Sequence, residues 1–332
     1  MPVTNTYDPV VSQREDLADF IYNIDPVRTP MLQAAEWTTA SATTHEWTED
    51  TLAAVNDGNS WKEGEAKTVT AVAQGTRLGN IAQISRKDYG VSGTTEVISK
   101  AGRDSEIALG QAKAMRELKR DMDAIISSAN QVKTAAGSSQ APLLGPLVTY
   151  VRNASRNTGA GTTAGADPSG SGAFNGEQQD TQADPVRAFT QTLLDDVIED
   201  CWTNGGKPSL LIMGPAGRNA FNAFDGLANA KADSIQRSDR SDGTVYGSVD
   251  VYLSGFGMEL RAVNSPNLRA TAGKDRDAWL IDPEHLKVPF LRSFEVLDFA
   301  KVGDSIEQGV LAQYTLEVCN TYAHGLVADI GG

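Results

Sequence analysis

Residues 301–330 read KVGDSIEQGVLAQYTLEVCNTYAHGLVADI, and the centre of this stretch alternates between apolar and polar side chains. The apolar residues fall on one face of an extended chain and are Val310, Ala312, Tyr314, Leu316 and Val318. The polar residues between them are Gln313, Thr315 and Glu317. A period of two over this length predicts a long β-strand with one buried face.

A long helix is predicted between residues 103 and 133, where apolar or small side chains recur at spacings of three and four. This stripe contains Ala108, Ala112, Met115, Leu118, Met122, Ile125, Ala129 and Val132, and the far side carries Lys113, Arg116, Lys119 and Arg120. About thirty residues at 1.5 Å each give roughly 45 Å. A coiled coil is the alternative, but an Ala-rich seam of about four heptads favours a single helix that spans one domain. Gly137-Ser138-Ser139 and Pro142 would end it.

The composition is that of a globular protein of 332 residues, with 40% hydrophobic and 22% charged residues. This length is enough for one large domain or two modest ones. No apolar run approaches the ~18–20 residues that cross a bilayer, and the first residues do not resemble a secretory signal. A reducing compartment is therefore expected, and Cys201 and Cys319 indicate neither a disulfide framework nor a metal site.

The net charge is −14, from 29 basic and 43 acidic residues. Because affinity for nucleic acids comes largely from Lys and Arg that neutralise phosphates, this balance disfavours a DNA-binding protein. The charge has two interpretations. It serves solubility, or it keeps the protein from sticking to a polyanion that lies close to it.

The N-terminal segment predicts a small amphipathic helix. Ser12 and Glu15 have the spacing of a capping box. The apolar stripe that follows consists of Leu17, Phe20, Ile21 and Ile24. Asp25-Pro26 ends this helix, and Thr29-Pro30 begins another short one. The stripe packs either on its own domain or on a neighbouring subunit.

Residues 43–92 contain two strand-like pieces, 43–50 and 76–85, around a polar stretch with turn residues at 56–65. A two-stranded ribbon alone is marginal in water, so this hairpin predicts a partner surface that stabilises it. Trp47 and Trp61 would be its anchors, because aromatic side chains contribute much of the energy of interfaces. The alternative is a disordered loop.

The second half of the chain predicts a mixed sheet with flanking helices over residues 186–298, after a Gly- and Ser-rich insert at 153–185 that cannot bury a core. A helix is expected from Asp184-Pro185 through Phe189, Leu193, Val197 and Ile198, and another through Phe221 and Phe224. Buried strands are expected at Leu210–Met213 and Ala278–Ile281. Val249, Val251 and Leu253 alternate with Asp250 and Tyr252, which with 260–263 predicts a hairpin.

No group of residues predicts catalysis. His45, His285 and His324 share no metal-binding motif. Ser305 lacks the GxSxG context of a hydrolase nucleophile. Acidic residues cluster at Asp195-Asp196 and Glu199-Asp200, where one helix would place them on a solvated face. Because no nucleophile, base and orienting group come together, the sequence predicts no catalytic, cofactor-binding or metal-binding residue, and no enzyme.

Short motifs along nearly the whole chain resemble the major capsid proteins of tailed bacteriophages, in the subgroup that carries a domain formerly of unknown function. Their order and spacing carry the resemblance, and the insert at 153–185 departs from it. The motifs are Asp16-Leu17, Ile24-Asp25-Pro26, Thr29-Pro30, His45-Glu46-Trp47, Asn80-Ile81-Ala82-Gln83-Ile84, Val91-Ser92-Gly93-Thr94, Gly145-Pro146-Leu147, Val249-Asp250-Val251-Tyr252, Phe256-Gly257 and the tail 297–330.

The resemblance implies an α+β fold, the tailed-phage major capsid fold, in five parts. They are an N-terminal arm at 1–42, an extended β-hairpin loop at 43–92, a peripheral domain with the spine helix and the insert at 93–185, a mixed α/β axial domain at 186–298, and a C-terminal strand at 299–332 that returns to the peripheral domain. That strand would lie at the centre of the peripheral domain, under the spine helix.

The same resemblance implies a function without chemistry. The chain would assemble with copies of itself into hexamers and pentamers of an icosahedral head, in the host cytoplasm and without a membrane. This head would enclose double-stranded DNA without reading its sequence, with a portal and with scaffolding or cement proteins as further partners. The numbering begins at Met1 with no evident leading helical scaffold domain, so no large N-terminal cleavage is expected. A cellular nanocompartment shell of the same fold, and an enzyme with an unrecognised site, are the alternatives.

Overall fold

The computed structural model describes residues 28–67, 69, 71–72, 74–98, 104–128, 131–157, 167–168, 187–224, 251–269, 276–301 and 303–331. Its strands are β1 (Glu36–Thr39), β2 (Thr44–Glu49), β3 (Thr76–Ile81), β4 (Gln83–Ser92), β5 (Arg156–Asn157), β6 (Arg187–Ala188), β7 (Leu210–Met213), β8 (Val251–Leu253), β9 (Glu259–Asn264), β10 (Ala278–Ile281), β11 (Leu286–Asp298), β12 (Ser305–Tyr314), β13 (Glu317–Val318), β14 (Gly325–Val327) and β15 (Ile330–Gly331). Its α-helices are α1 (Pro30–Ala34), α2 (Gly93–Val97), α3 (Glu106–Ile126), α4 (Gln191–Thr203) and α5 (Pro215–Asn222).

The first large sheet has five strands in the order β1-β11-β12-β4, with β13 also paired to β11. β12 lies between β11 and β4, so the prediction of a central C-terminal strand is confirmed. The strand runs from Ser305 to Tyr314 and pairing resumes only at β13. The face of β12 that was predicted to be polar and exposed is also buried. Gln313 on this face is 8% exposed and accepts a hydrogen bond from Arg292 Nε at 3.1 Å.

Helix α3 packs on β4 and β12. It begins at Glu106, close to the predicted start at about residue 103, and the Ser105 hydroxyl accepts a hydrogen bond from Ala108 N. It ends at Ile126 and not near residue 133, with Ser127 as the C-cap, whose hydroxyl donates to the Asp123 carbonyl at 3.0 Å. The helix is therefore shorter than the spacing of apolar residues predicts.

The buried stripe of α3 also differs from the predicted one. The fully or nearly buried apolar side chains are Ala114, Leu118, Met122 and Ile126, four residues apart, and they share a core with Val310, Ala312 and Tyr314 of β12. Ala108 and Ala112 are exposed. Alanine is compatible with either face of a helix, so its spacing did not fix which face turns inward. The predicted packing of β12 under the helix is confirmed.

The second sheet has six strands in the order β5-β14-β10-β7-β9-β8. The two predicted buried strands, β7 and β10, lie at its centre and pair antiparallel. Along each strand the side chains alternate between two cores. Leu211, Met213 and Leu280 face the core formed with α4 and α5, and Ile212 and Trp279 face the core of the first sheet. The two sheets are thereby joined through shared packing.

Two strands lie elsewhere than their predicted ranges imply. β11, from the end of the range 186–298, belongs to the first sheet, and β14, from the C-terminal range, belongs to the second. The chain passes between the sheets after β10 and returns after β13. Likewise β4, which falls inside the range 43–92, pairs along its whole length with β12. Sheet membership alone does not define domains, and the five ranges stay predictions.

In the second half of the chain, one predicted helix begins later than expected, and the predicted hairpin is present. Helix α4 begins at Gln191, where the Thr190 hydroxyl caps Leu193 N, and Phe189 is buried just before it. The predicted hairpin is present as β8–β9, in which Tyr252 is buried and Val251 is exposed. Tyr252 turns inward because its hydroxyl donates to Asp195 Oδ1 at 2.6 Å.

At the N-terminus the predicted helix at 12–24 lies outside the described residues, as does most of the insert at 153–185. The short helix predicted at Thr29-Pro30 is confirmed as α1, with Pro30 at its first position.

Candidate assembly surface

Strands β2 and β3 form a separate antiparallel ribbon, paired from Thr44↔Ile81 to Glu49↔Thr76. The ribbon is held against the rest of the molecule at both ends, by Asn80 near one end and by Glu49 at the end that carries the stretch 50–74. This arrangement is the hairpin that the sequence predicted, with strands that end at Glu49 and Ile81.

Asn80 fixes one strand of the ribbon near one end. Its side chain is fully buried, and Nδ2 donates to the carbonyls of Gly145 and Leu316 at 2.9 Å each. Its Oδ1 accepts from Gly145 N at 2.7 Å. One side chain thus joins β3 to the turn before residue 147 and to the connection between β12 and β13. In the sequence, Asn80 and Gly145 belong to two separate motifs, and neither motif indicates that the two residues are hydrogen-bonded.

Glu49 fixes the other strand. This carboxylate is 9% exposed and accepts from Thr321 N at 3.0 Å and from Thr321 Oγ1 at 2.7 Å. Arg152 NH2 lies 3.4 Å from Glu49 Oε2. A buried carboxylate needs such partners because desolvation of an unpaired charge is unfavourable. Glu49 was not singled out from the sequence, because between Thr48 and Asp50 it looks like an ordinary exposed residue at the end of a strand.

Trp47 was predicted to anchor the hairpin on a partner, and this is wrong. Its ring is partly buried against the subunit's own core, with its centroid 5.6 Å from that of Tyr150. The hydroxyl of Tyr150 donates in turn to the Gly79 carbonyl at 2.9 Å. Trp61 differs, because it lies in the stretch 50–74 and is 59% exposed.

Every described residue from 50 to 74 is exposed to solvent, including apolar ones. Four of these apolar side chains are 87–98% exposed, namely Leu52, Val55, Val69 and Val72. The hydrogen bonds here are local, such as Gly58 N to Asn56 Oδ1 at 3.0 Å and Trp61 Nε1 to Asn59 Oδ1 at 3.0 Å. Several large apolar side chains left exposed on one short segment indicate a surface that another molecule covers.

A second polar junction lies beneath α3. Asp123 is fully buried, and its two carboxylate oxygens accept from Leu32 N at 3.0 Å and from Asn267 Nδ2 at 2.7 Å. Asn267 also donates to the Arg28 carbonyl at 2.9 Å. The junction links the base of the N-terminal segment, the long helix and the segment after β9. Sequence analysis missed Asp123 because an acidic residue in a helix looks solvent-exposed.

The three histidines lie in two places. His45 Nε2 lies 2.8 Å from Glu317 Oε2, at the ribbon. His285 and His324 come together around Asp282: His285 Nδ1 is 3.0 Å from Asp282 Oδ2, and His324 Nδ1 accepts from Asp282 N at 3.2 Å. Burial lowers the pKa of the His324 imidazole from 6.5 to about 4. These contacts are structural, at the crossing between the two sheets.

The remaining candidate residues also have structural contacts. Ser305 begins β12 and its hydroxyl donates to Glu307 Oε1 at 3.0 Å. Burial raises the pKa of the Cys201 thiol to about 12 and that of Cys319 to about 11, so both thiols are protonated at neutral pH. In the part of the chain that the structure describes, no three His, Cys, Asp or Glu side chains are grouped to hold a metal. Within the same residues, no helix is long and apolar enough to span a membrane.

A family model described as SU10 major capsid protein matches residues 2–331. The chain belongs to this family. A stretch of 228 residues, 61% of the chain, is 26% identical to the major capsid protein of Escherichia phage Phieco32 and covers 64% of that relative's length.

Solved structures show the same fold at low sequence identity, and they establish that this SU10-family chain has the α+β tailed-phage capsid fold. The cyanophage A-1(L) capsid subunit is 14% identical with a TM-score of 0.62, over 96% of this chain and 97% of that one. The structure of Mycobacterium phage Che8 is 15% identical with a TM-score of 0.57, over 97% of this chain and 98% of that one. The SrpI encapsulin of Synechococcus elongatus PCC 7942 is 10% identical with a TM-score of 0.55, over 100% of this chain and 97% of that one.

Proposed function

We propose that the chain is the shell subunit of an icosahedral phage head, in which copies form hexamers and pentamers around a double-stranded DNA genome. The role is structural, with no catalytic site. The β2–β3 ribbon with residues 50–74 is the extended loop, α3 and the first sheet are the peripheral domain, and the second sheet is the axial domain. A portal, and scaffolding or cement proteins, are the further partners of a head that assembles in the host cytoplasm.

The exposed stretch 50–74 is the observation that carries this proposal. Leu52, Val55, Val69 and Val72 each expose nearly their whole side chain in the single subunit. Burial of such a side chain is worth about 1.5–3 kcal/mol, so a neighbouring copy that covers them gains a substantial stabilisation. Contacts of this kind are heterologous, because the loop of one subunit meets a different surface of the next, and they close by symmetry.

Net charge supports the role of a container. A chain with a charge of −14 gains little from contact with phosphates. It therefore encloses DNA without holding it in place and without reading its sequence. The same charge keeps free subunits soluble before assembly.

Analytical ultracentrifugation and electron microscopy of the purified chain test self-assembly. Large particles or capsomers are expected, and a single 35.3 kDa species at every salt concentration would contradict the shell. Deletion of 50–75 should leave a folded subunit that does not assemble. A sharper variant exchanges Leu52, Val55, Val69 and Val72 for Ser, with a control that exchanges Leu52 for Met and the three valines for Ile.

A cellular nanocompartment is the second candidate, because the encapsulin match covers the whole chain. The contents of particles isolated from the native source distinguish the two. Nuclease-protected double-stranded DNA is expected of a phage head. A protein cargo in the absence of DNA would favour the nanocompartment and would leave the self-assembly of the shell intact.

A further inference from the structure

A groove of about 400 Å³ runs between α1–β1 and α3. Its floor is aromatic: Trp37 is 49% exposed, and its ring centroid lies 5.2 Å from that of Phe290. Lys119 Nζ lies 5.9 Å from the Trp37 ring. The groove is lined by Thr29, Leu32, Gln33, Trp37, Arg116 and Lys119. An apolar side chain fits its floor, and an acidic one fits its cationic wall.

The wall belongs to a basic strip on α3, in a chain that is otherwise strongly acidic. The strip consists of Lys113, Arg116, Lys119 and Arg120, with Glu117 as the acidic residue among them. None of these four cations forms an ion pair with any other residue that the structure describes. The groove and strip therefore fit an amphipathic, acidic segment.

We propose that residues 12–24 of the same chain dock in this groove. The predicted helix there has an apolar stripe of Leu17, Phe20, Ile21 and Ile24, which covers Trp37. Its charged residues are Glu15, Asp16 and Asp19 against Arg14 alone. On a helix Asp16 lies at the border of the stripe, within reach of the long side chains of Arg116 and Lys119, while the other acidic residues face outward.

The position of Arg28 favours the chain's own segment over that of a second copy. The Arg28 carbonyl accepts from Asn267 at 2.9 Å, and the next residue, Thr29, lines the groove. Ile24 is four residues before Arg28, so it lies within about 14 Å of it. Such a short tether gives an effective concentration on the order of millimolar. Docking covers the basic strip, which leaves less cationic surface to retain a polyanion, and it does not depend on assembly into a shell.

Photo-crosslinking in the full-length chain tests this docking. The photoreactive benzoyl-phenylalanine replaces Phe20, and an equal mixture of ¹⁵N-labelled and unlabelled protein is irradiated and mapped by mass spectrometry. We expect cross-links to α3 and to Trp37 that join peptides of the same isotope label. The double exchange Arg116→Glu with Lys119→Glu should lower their yield about fivefold or more, and adding Asp16→Lys should restore it.

The matched control is Lys301→Glu, an exposed cation outside the groove, which should leave the yield unchanged. Cross-links with mixed labels would assign the groove to a second copy and overturn the proposal. Cross-links to another surface would overturn it too, as would a cross-link yield that is the same with and without the double exchange. Binding to a short DNA duplex gives one more test. If the unmodified chain binds the duplex and the double exchange abolishes this binding, the strip is open to a polyanion and the proposal is overturned.

Discussion

The side-chain amide of Asn80 binds both backbone groups of Gly145, accepting from its N–H at 2.7 Å and donating to its carbonyl at 2.9 Å. The site is fully buried. This pairing matters because Asn80 belongs to the ribbon that carries the exposed loop, whereas Gly145 belongs to the body of the subunit. The orientation of the loop is therefore set by a hydrogen-bond network as well as by packing.

Replacement Asn80→Ala should destabilise the subunit by about 2–4 kcal/mol, because it leaves buried backbone groups without partners. Urea denaturation of dissociated subunits measures this. The control is Asn59→Ala, whose side chain bonds only within the exposed loop, and it should change stability by less than about 0.5 kcal/mol. Equal effects of the two exchanges would contradict the role of Asn80.

The two tryptophans of the ribbon should separate folding from assembly. Trp47→Ala should destabilise the isolated subunit by about 2–4 kcal/mol, because Trp47 packs on Tyr150 in the core. Trp61→Ala should leave the subunit's stability unchanged, because Trp61 lies in the exposed loop, and should reduce the yield of particles. Denaturation curves and sedimentation of the same preparations test both, and a destabilised Trp61→Ala subunit would count against an exposed loop.

Gly110 is required by the close approach of α3 to β4. A Cβ atom at this position would lie 2.8 Å from the Tyr89 ring. Gly110→Leu should therefore cost about 1–3 kcal/mol through overpacking, despite the better helix propensity of leucine. The matched control is Ala112→Leu on the exposed side of the same helix, which should be nearly neutral. Thermal unfolding of both variants decides whether the helix lies as closely on the sheet as the structure shows.

His324 should make the subunit sensitive to acid. Its pKa is lowered by burial from 6.5 to about 4, so the unfolded chain binds a proton that the folded chain rejects. Above pH 6.5 both states are neutral at this site and it has no effect. As the pH falls from about 6.5 to 4, about 3 kcal/mol of stability should be lost.

His324→Gln should remove this loss. The variant is compared with the unmodified chain by urea denaturation at pH 7.5 and at pH 4.5. The difference in stability between the two pH values should be smaller for the variant. If both proteins lose the same stability between these pH values, the acid sensitivity arises elsewhere. Because His324 lies where the chain crosses between the sheets, the acid state should loosen that crossing first.

The sequence predicted those elements whose periodicity was unambiguous. The predicted C-terminal strand appears as Ser305–Tyr314, the continuous apolar runs at Leu210–Met213 and Ala278–Ile281 appear as buried strands, and the hairpin appears as Thr44–Glu49 paired with Thr76–Ile81. The long helix appears as well, but its end and its buried face were mistaken. The helix ends at Ile126 although the apolar spacing continues, and the alanines gave no preference between faces.

The polar junctions could not be predicted. Asn80, Glu49 and Asp123 are buried only because segments far apart in the chain supply their partners. Trp47 was assigned to an interface because the residue it packs against, Tyr150, lies about a hundred residues away in the chain and could not be inferred from the sequence. Tyr252 faces inward because a helix residue, Asp195, accepts a hydrogen bond from its hydroxyl.

By itself the sequence determined the class of fold, the order of its elements and, through the spacing of short motifs, the resemblance to capsid proteins. The order of elements depends on local periodicity and turn chemistry, which act over a few residues, whereas the fold class was implied by the resemblance. Only the tertiary structure decided which face of each element is buried, how β11 and β14 are shared between the two sheets, and which tryptophan of the ribbon stays exposed. Those outcomes depend on long-range packing and buried hydrogen bonds, whose partners no local pattern specifies.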